Sequence, residues 1–103
     1  MRTLPKVSVI TTTYNDAGNL ERIMDQVARQ DYENLEYIIV DGGSTDGTME
    51  VIHQMEKRLP GQVRYLSEPD QGIYDALNKG IRLATGEIVG CCFDRYADEH
   101  VIR

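Results

Sequence analysis

The sequence predicts an α/β fold built on an open parallel sheet, and three observations carry that prediction. Val7–Thr12 and Tyr37–Val40 are rich in strand-forming residues without polar alternation, the pattern of strands covered on both faces. Between and after them, apolar residues recur at helical spacing, so strand and helix alternate along the chain. The connections are short, which leaves right-handed crossovers with helices on both faces of the sheet.

Taken in order, Val7–Thr12 is the first strand, entered after Pro5, and Tyr14-Asn15-Asp16-Ala17-Gly18 is turn chemistry. With Asn19 as cap, Leu20, Ile23, Met24, Val27 and Ala28 line one face of a helix that ends near Gln30. Asp31–Asn34 leads into the second strand, Leu35–Val40. Asp46 then caps a helix with Met49, Ile52, Met55 and Leu59 inward, Val51 at the border, and Pro60-Gly61 as its end. Val63–Leu66 is a short third strand. Ile73, Ala76, Leu77, Gly80, Ile81 and Ala84 form the most regular helical stripe, with Gly86 as its stop, and Ile88–Phe93 is the fourth strand. No repeat or linker divides the chain, so residues 1–103 read as one domain.

Function centres on Glu36–Thr48, E-Y-I-I-V-D-G-G-S-T-D-G-T. Asp41 ends a buried strand, Gly42 and Gly43 permit a sharp turn and a close ligand approach, and Ser44, Thr45 and Asp46 are helix-capping types. An acid at the carboxyl end of a central strand, beside a helix amino terminus, is where open α/β sheets bind ligands. The carboxylate can accept a base N–H, or it can merely brace the loop. Thr12 and Tyr14 end the first strand at the same rim, as a hydrogen-bonding group and a stacking ring, while Asn15 is equally a turn residue that tolerates left-handed backbone.

Composition narrows the function classes. The formal charge of −6 argues against a nucleic-acid or anionic-membrane surface. No apolar run approaches the roughly 20 residues of a membrane span, and no secretion signal opens the chain, so a cytoplasmic location is expected. An anionic ligand then needs help from a metal ion, helix amino termini or placed cations. Adjacent Cys91 and Cys92 point to opposite strand faces and read as two buried reduced thiols. His53 and His100 stand without ligand spacing and read as surface or packing residues.

Four blocks carry a resemblance: V-S-V-I-T-T-T-Y-N at Val7–Asn15, V-D-G-G-S-T-D-G-T at Val40–Thr48, D-Q-G-I-Y-D-A-L-N-K-G-I at Asp70–Ile81, and A-T-G-E-I at Ala84–Ile88. In this order they resemble the donor-binding amino-terminal half of the family 2 glycosyltransferases. The resemblance implies a Rossmann-like sheet of the glycosyltransferase-A type in the order 3-2-1-4, truncated here, with a nucleotide at the strands' carboxyl ends. It implies an inverting transfer from a nucleoside diphosphate sugar to a hydroxyl of an acceptor saccharide or lipid-linked sugar, in polysaccharide or glycoconjugate assembly at or near the inner face of a membrane. Thr12, Tyr14, Asn15, Asp41, Gly43 and Ser44 would line the nucleotide. Asp70, Gly72, Tyr74, Asp75, Asn78 and Lys79 would border the donor sugar and diphosphate, with Lys79 or Arg82 as cationic help. Asp75 and Lys79 also read simply as a solvated i, i+4 ion pair.

The same resemblance implies Mg²⁺ or Mn²⁺ held by a D-x-D-type cluster after the fourth strand. Here the run is G-C-C-F-D-R-Y-A-D. Counted from Gly86, the cluster positions fall on Phe93, Arg95 and Tyr96; aligned instead on D-R-Y-A-D-E, they leave Asp94, and secondarily Asp98, as metal acids. The general base and acceptor wall of the family lie beyond this run, so no catalytic residue is assigned. A catalytically inactive nucleotide-binding or protein-interaction module of the same fold is the alternative. A dinucleotide-binding or P-loop protein is disfavoured, because neither G-x-G-x-x-G after the first strand nor G-K-[ST] occurs. An open sheet edge makes a homo-oligomer a further expectation.

Overall fold

Successive side chains of a strand point to opposite faces, so a strand apolar throughout has to be covered twice. In the computed structural model, which describes residues 5–29 and 33–93, that strand is β2 (Leu35–Asp41), buried from Glu36 to Asp41. It is flanked by β1 (Val7–Thr13) and β3 (Val63–Ser67), and β4 (Ile88–Phe93) lies beyond β1. All pairings are parallel and the order is β3-β2-β1-β4, as the resemblance implied.

Two cores confirm helices on both faces. Leu20, Ile23 and Met24 of α1 (Ala17–Ala28) and Ile52 and Met55 of α2 (Thr48–Arg58) bury Tyr37 and Ile39 on one side. On the other, Ala76 of α3 (Ile73–Leu83) covers Ile10, Ile38 and Val40. Small residues set that second contact: a Cβ on Gly80 would stand 2.5 Å from Ile10 Cγ2 and 3.3 Å from Val40 Cγ2. Because α3 rests on its Ala76–Gly80 line, Ile73 and Ile81, expected to face inward, are 41% and 49% exposed. Ile88 and Val89, which point to opposite faces of the edge strand β4, are exposed as well.

Several boundaries move. The first helix starts at Ala17, so Asn19 sits in its first turn and donates to Asp16 Oδ2 at 3.1 Å instead of capping. It ends at Ala28; Gln30, Asp31 and Tyr32 lie outside the described residues. Strands β1, β2 and β3 each run one residue further than expected, to Thr13, Asp41 and Ser67. Gly86 does not stop α3, which ends at Leu83 with Ala84 extended. It is instead a point of close approach, where a Cβ would fall 2.6 Å from Ser8 Oγ and 2.8 Å from the Lys6 carbonyl oxygen.

At the amino ends of the strands, Glu36 is 5% exposed and ties three segments together. Its Oε1 accepts bonds from Ser8 Oγ at 2.7 Å and Thr85 N at 2.9 Å, and its Oε2 from Arg64 Nη1 at 3.3 Å. Lys6 Nζ is 3.7 Å away, and Arg64 also donates to the Leu83 carbonyl at the end of α3. Burial alone would raise the Glu36 pKa; the Thr85 amide, the Ser8 and Thr85 hydroxyls and Arg64 outweigh it and hold the group down to about 2. A folded-state pKa below the ordinary 4.5 means that this stabilisation is present above that value and is lost as pH falls toward about 2. Urea unfolding from pH 6 to pH 2 is expected to show the stability advantage over Glu36→Gln shrinking across that window; parallel pH profiles for the two proteins would contradict the assignment.

Candidate functional site

Parallel strands bring all their carboxyl ends to one rim, and three loops meet there: Tyr14–Asp16, Gly42–Gly47 and Glu68–Gly72. Asp41 is at their centre and fully buried. Its Oδ2 accepts bonds from Gly43 N at 3.2 Å, Ser44 N at 2.9 Å and Ser67 Oγ at 2.7 Å, and its Oδ1 accepts one from the Ser44 hydroxyl. The carboxylate therefore braces the glycine turn and joins it to β3, the second of the two roles its position allowed.

The turn is clasped from the other side by Asn15, whose φ of 46° places it in the left-handed region. Its N–H donates to Ser44 Oγ at 2.7 Å and its Oδ1 accepts Thr45 N at 2.7 Å. Asp46 serves two helices at once: Oδ1 accepts the Thr48 amide at 2.9 Å and the Thr48 hydroxyl, and Oδ2 accepts the Ala17 amide at 3.3 Å. These bonds, the Thr48 hydroxyl first, hold its pKa below the usual carboxylate value. An acid thus already occupies the starts of α1 and α2, where an anion would otherwise bind.

Gly42 is where the separated blocks converge. A Cβ there would stand 2.9 Å from Asp70 Oδ2 and 3.3 Å from Tyr14 Cδ1, so side chains of the first and third loops close directly over this glycine. Gly43, at φ +91°, runs beside Pro69, whose nitrogen a Cβ would meet at 3.4 Å. Tyr14 is half exposed beside this junction.

The third loop braces itself. Asp70 Oδ1 accepts Gly72 N at 3.1 Å, and Asp75 Oδ2 accepts Gln71 N at 3.0 Å. The Gln71 amide, helped by Lys79, keeps the Asp75 pKa below its usual value. Lys79 is not half of a solvated pair: its side chain is only 13% exposed, and Nζ meets Glu68 Oε2 at 2.9 Å, the Pro69 carbonyl at 3.0 Å and Asp75 Oδ2 at 3.5 Å. The Glu68 bond leads in raising its pKa, so it is a neutralised clamp on the loop rather than a cation open to a phosphate. Arg82 lies in the last turn of α3, and its charge reaches Asp75, whose pKa it helps to lower. Tyr74, 80% exposed, and Asn78 share an outer side of the helix.

Thr12 and Asp41, both expected at the nucleotide rim, lie on opposite faces of the sheet. Thr12 registers with Val40, and Thr13 with Asp41. Thr13 and Ser67 are the rim residues that sequence reasoning missed. Their signal was the parallel register itself, which the blocks did not display. His53 is a surface residue edge-on to Tyr65, with ring centroids 5.7 Å apart, as expected. His100, Asp94 and Asp98 lie outside the described residues, as do the side chains of Cys91 and Cys92. Among the described residues, no three His, Cys, Asp or Glu side chains form a group that could hold a metal ion.

A parallel sheet in the order 3-2-1-4, with a glycine turn and two further loops gathered at its carboxyl rim, defines a Rossmann-like domain of the glycosyltransferase-A type. Residues 8–94 match the model of glycosyl transferase family 2. An uncharacterized glycosyltransferase of Nostoc sp. is 39% identical over 84 residues, covering 82% of this chain and 26% of the relative. A mannosyltransferase from Pyrobaculum calidifontis, solved with GDP-Man and Mn²⁺, superposes with a TM-score of 0.80 at 37% identity, over 87% of this chain and 27% of that one. S. aureus TarS 1-349, solved with UDP-GlcNAc, gives 0.76 at 28% identity, over 86% of this chain and 26% of that one. The chain belongs to glycosyl transferase family 2, and it spans about a quarter of the length of these relatives.

If Asp41 is the brace, Asp41→Ala leaves the Gly43 and Ser44 N–H groups and the Ser67 hydroxyl without their acceptor. One buried donor left unsatisfied costs about 1–3 kcal/mol, so the thermal midpoint should fall by several degrees. An unchanged midpoint would show that the carboxylate does not hold the turn.

Proposed function

We propose that this chain binds the nucleoside diphosphate sugar of an inverting glycosyl transfer. In that reaction the acceptor hydroxyl oxygen attacks the anomeric carbon, the bond to the diphosphate oxygen breaks, and the hydroxyl proton passes to a base outside the assigned residues. The observation that carries the reading is the junction at Gly42, where the blocks holding Tyr14, Asp41 and Asp70 close on one rim. Tyr14 is placed to stack on the base, Asp41 and Ser44 to shape its pocket, and Asp70, Gly72 and Tyr74 to border the diphosphate and sugar. Asn15, Gly43, Asp75 and Lys79 support these loops, Thr12 lies beside them at the end of β1, and Asn78 presents its amide on the exposed side of α3.

Charge supports a metal requirement. Asp41 at the end of β2, Glu68 and Asp70 on the third loop and Asp75 in the first turn of α3 gather at the rim, and Lys79 is already neutralised by Glu68 and Asp75. A diphosphate entering such a rim is repelled unless a divalent cation accompanies it. By the resemblance to the family's metal cluster, Asp94 and secondarily Asp98 would hold Mg²⁺ or Mn²⁺, which would neutralise the leaving diphosphate. The acceptor is taken to be a saccharide or lipid-linked sugar hydroxyl. The assembly is taken to lie at the inner face of a membrane; no described helix is long and apolar enough to cross one. The outer edge of β4, with Ile88 and Val89 exposed, is a surface through which two copies would associate.

Calorimetric titration of the chain with UDP and GDP tests the reading. Binding of at least one, strengthened tenfold or more by Mn²⁺, is expected, with sedimentation of the free chain showing a dimer at high concentration. Absence of binding by both nucleotides with Mn²⁺ present would overturn the nucleotide assignment, and a strict monomer would overturn the association.

A further inference from the structure

Among the described residues, one buried side-chain oxygen lacks a hydrogen-bond partner: Thr13 Oγ1. Three other buried hydroxyls are engaged, Ser8 with Glu36, Thr11 with Tyr37 at 2.7 Å, and Thr48 with Asp46. Thr11 and Thr13 point to the same face by strand alternation, so the contrast arises within one row of side chains. A hydroxyl buried without a partner is a net cost to the folded chain, and native structures keep few of them.

Position gives the orphan a use. Thr13 is the last residue of β1, 5% exposed, and registers with Asp41 on β2. Its carbonyl accepts the Gly42 amide at 2.9 Å, which ties it to the turn at the convergence point. The next residue, Tyr14, is 52% exposed, so the hydroxyl lies one residue below the open rim. We propose that Thr13 Oγ1 is a binding residue for the nucleoside part of the donor, completing its hydrogen bonding only when ligand is present. A hydroxyl can donate to a base carbonyl or accept from a base N–H, so this residue and the Asp41–Ser44 pair beside it present both polarities to a base edge. The inference rests on the nucleotide reading above and names a contact within it.

Thr13→Val keeps the branched shape and removes the hydroxyl, and Thr13→Ser keeps the hydroxyl. Thermal unfolding and calorimetric titration with UDP and GDP in Mn²⁺ then give two independent readouts. The expected result is opposite signs in Thr13→Val: an unfolding midpoint equal to or above that of the unsubstituted chain, and a Kd raised about three- to tenfold, as for one lost hydrogen bond. Thr13→Ser should bind within about twofold of the unsubstituted chain, because its donor is retained. A midpoint lowered by several degrees, or failure of Thr13→Val to fold, would show that the hydroxyl has a structural partner and overturn the proposal. An unchanged Kd in Thr13→Val would overturn it while leaving the nucleotide reading intact. Loss of all nucleotide binding in the unsubstituted chain would instead remove that reading and the ligand assigned to Thr13 with it.

Discussion

The rim depends on one buried carboxylate. Asp41 ends the central strand with no exposure to solvent and gathers two backbone amides and two hydroxyls from Gly43, Ser44 and Ser67. An ionised group out of water is tolerable only when donors surround it. That requirement fixes the course of the glycine turn, and the turn in turn fixes where Tyr14 and Asp70 meet Gly42. Asp41 is accordingly a positioning residue first.

Strand β2 carries a second buried acid at its other end, and the two divide the labour of the sheet. Glu36 and Asp41 are five residues apart and so face opposite sides. Glu36 locks β1, β3 and the segment after α3 at the amino ends, away from any cleft. Asp41 does the corresponding work where the loops open. The acids around Asp41 cap helices and loops, so the rim is already satisfied and negatively charged before an anionic ligand arrives. This gives a physical reason for a cation-assisted diphosphate that does not depend on the family.

Much of this was legible in the residues. The apolar run at Tyr37–Val40 marks a strand buried on both faces, and the stripes in α1 and α2 mark their inward sides, because burial on a regular element leaves a regular pattern. The stripe in α3 misled at Ile73 and Ile81: periodicity names the apolar side but not how far the partner surface extends, and small residues drew the helix onto β1 and β2 alone. Gly86 misled for a related reason, since a glycine needed for close approach looks the same in sequence as one that ends a helix. At the site, the participation of Asp41, Gly42, Asn15 and Asp70 was readable from turn chemistry and blocks. What sequence could not give was register, which pairs Thr13 rather than Thr12 with Asp41, and side-chain partnership, which turns Lys79 from a free cation into a clamp.

The most direct measurement of the central claim is the amide chemical-shift map of the ¹⁵N-labelled chain as UDP or GDP is added with Mg²⁺. The account predicts perturbations at Thr13, Tyr14, Gly42 to Thr45 and Asp70 to Tyr74, with Lys6, Glu36 and Thr85 at the opposite end unmoved. Perturbations centred on the Glu36 end, or on the α1 and α2 surface remote from Gly42, would contradict it.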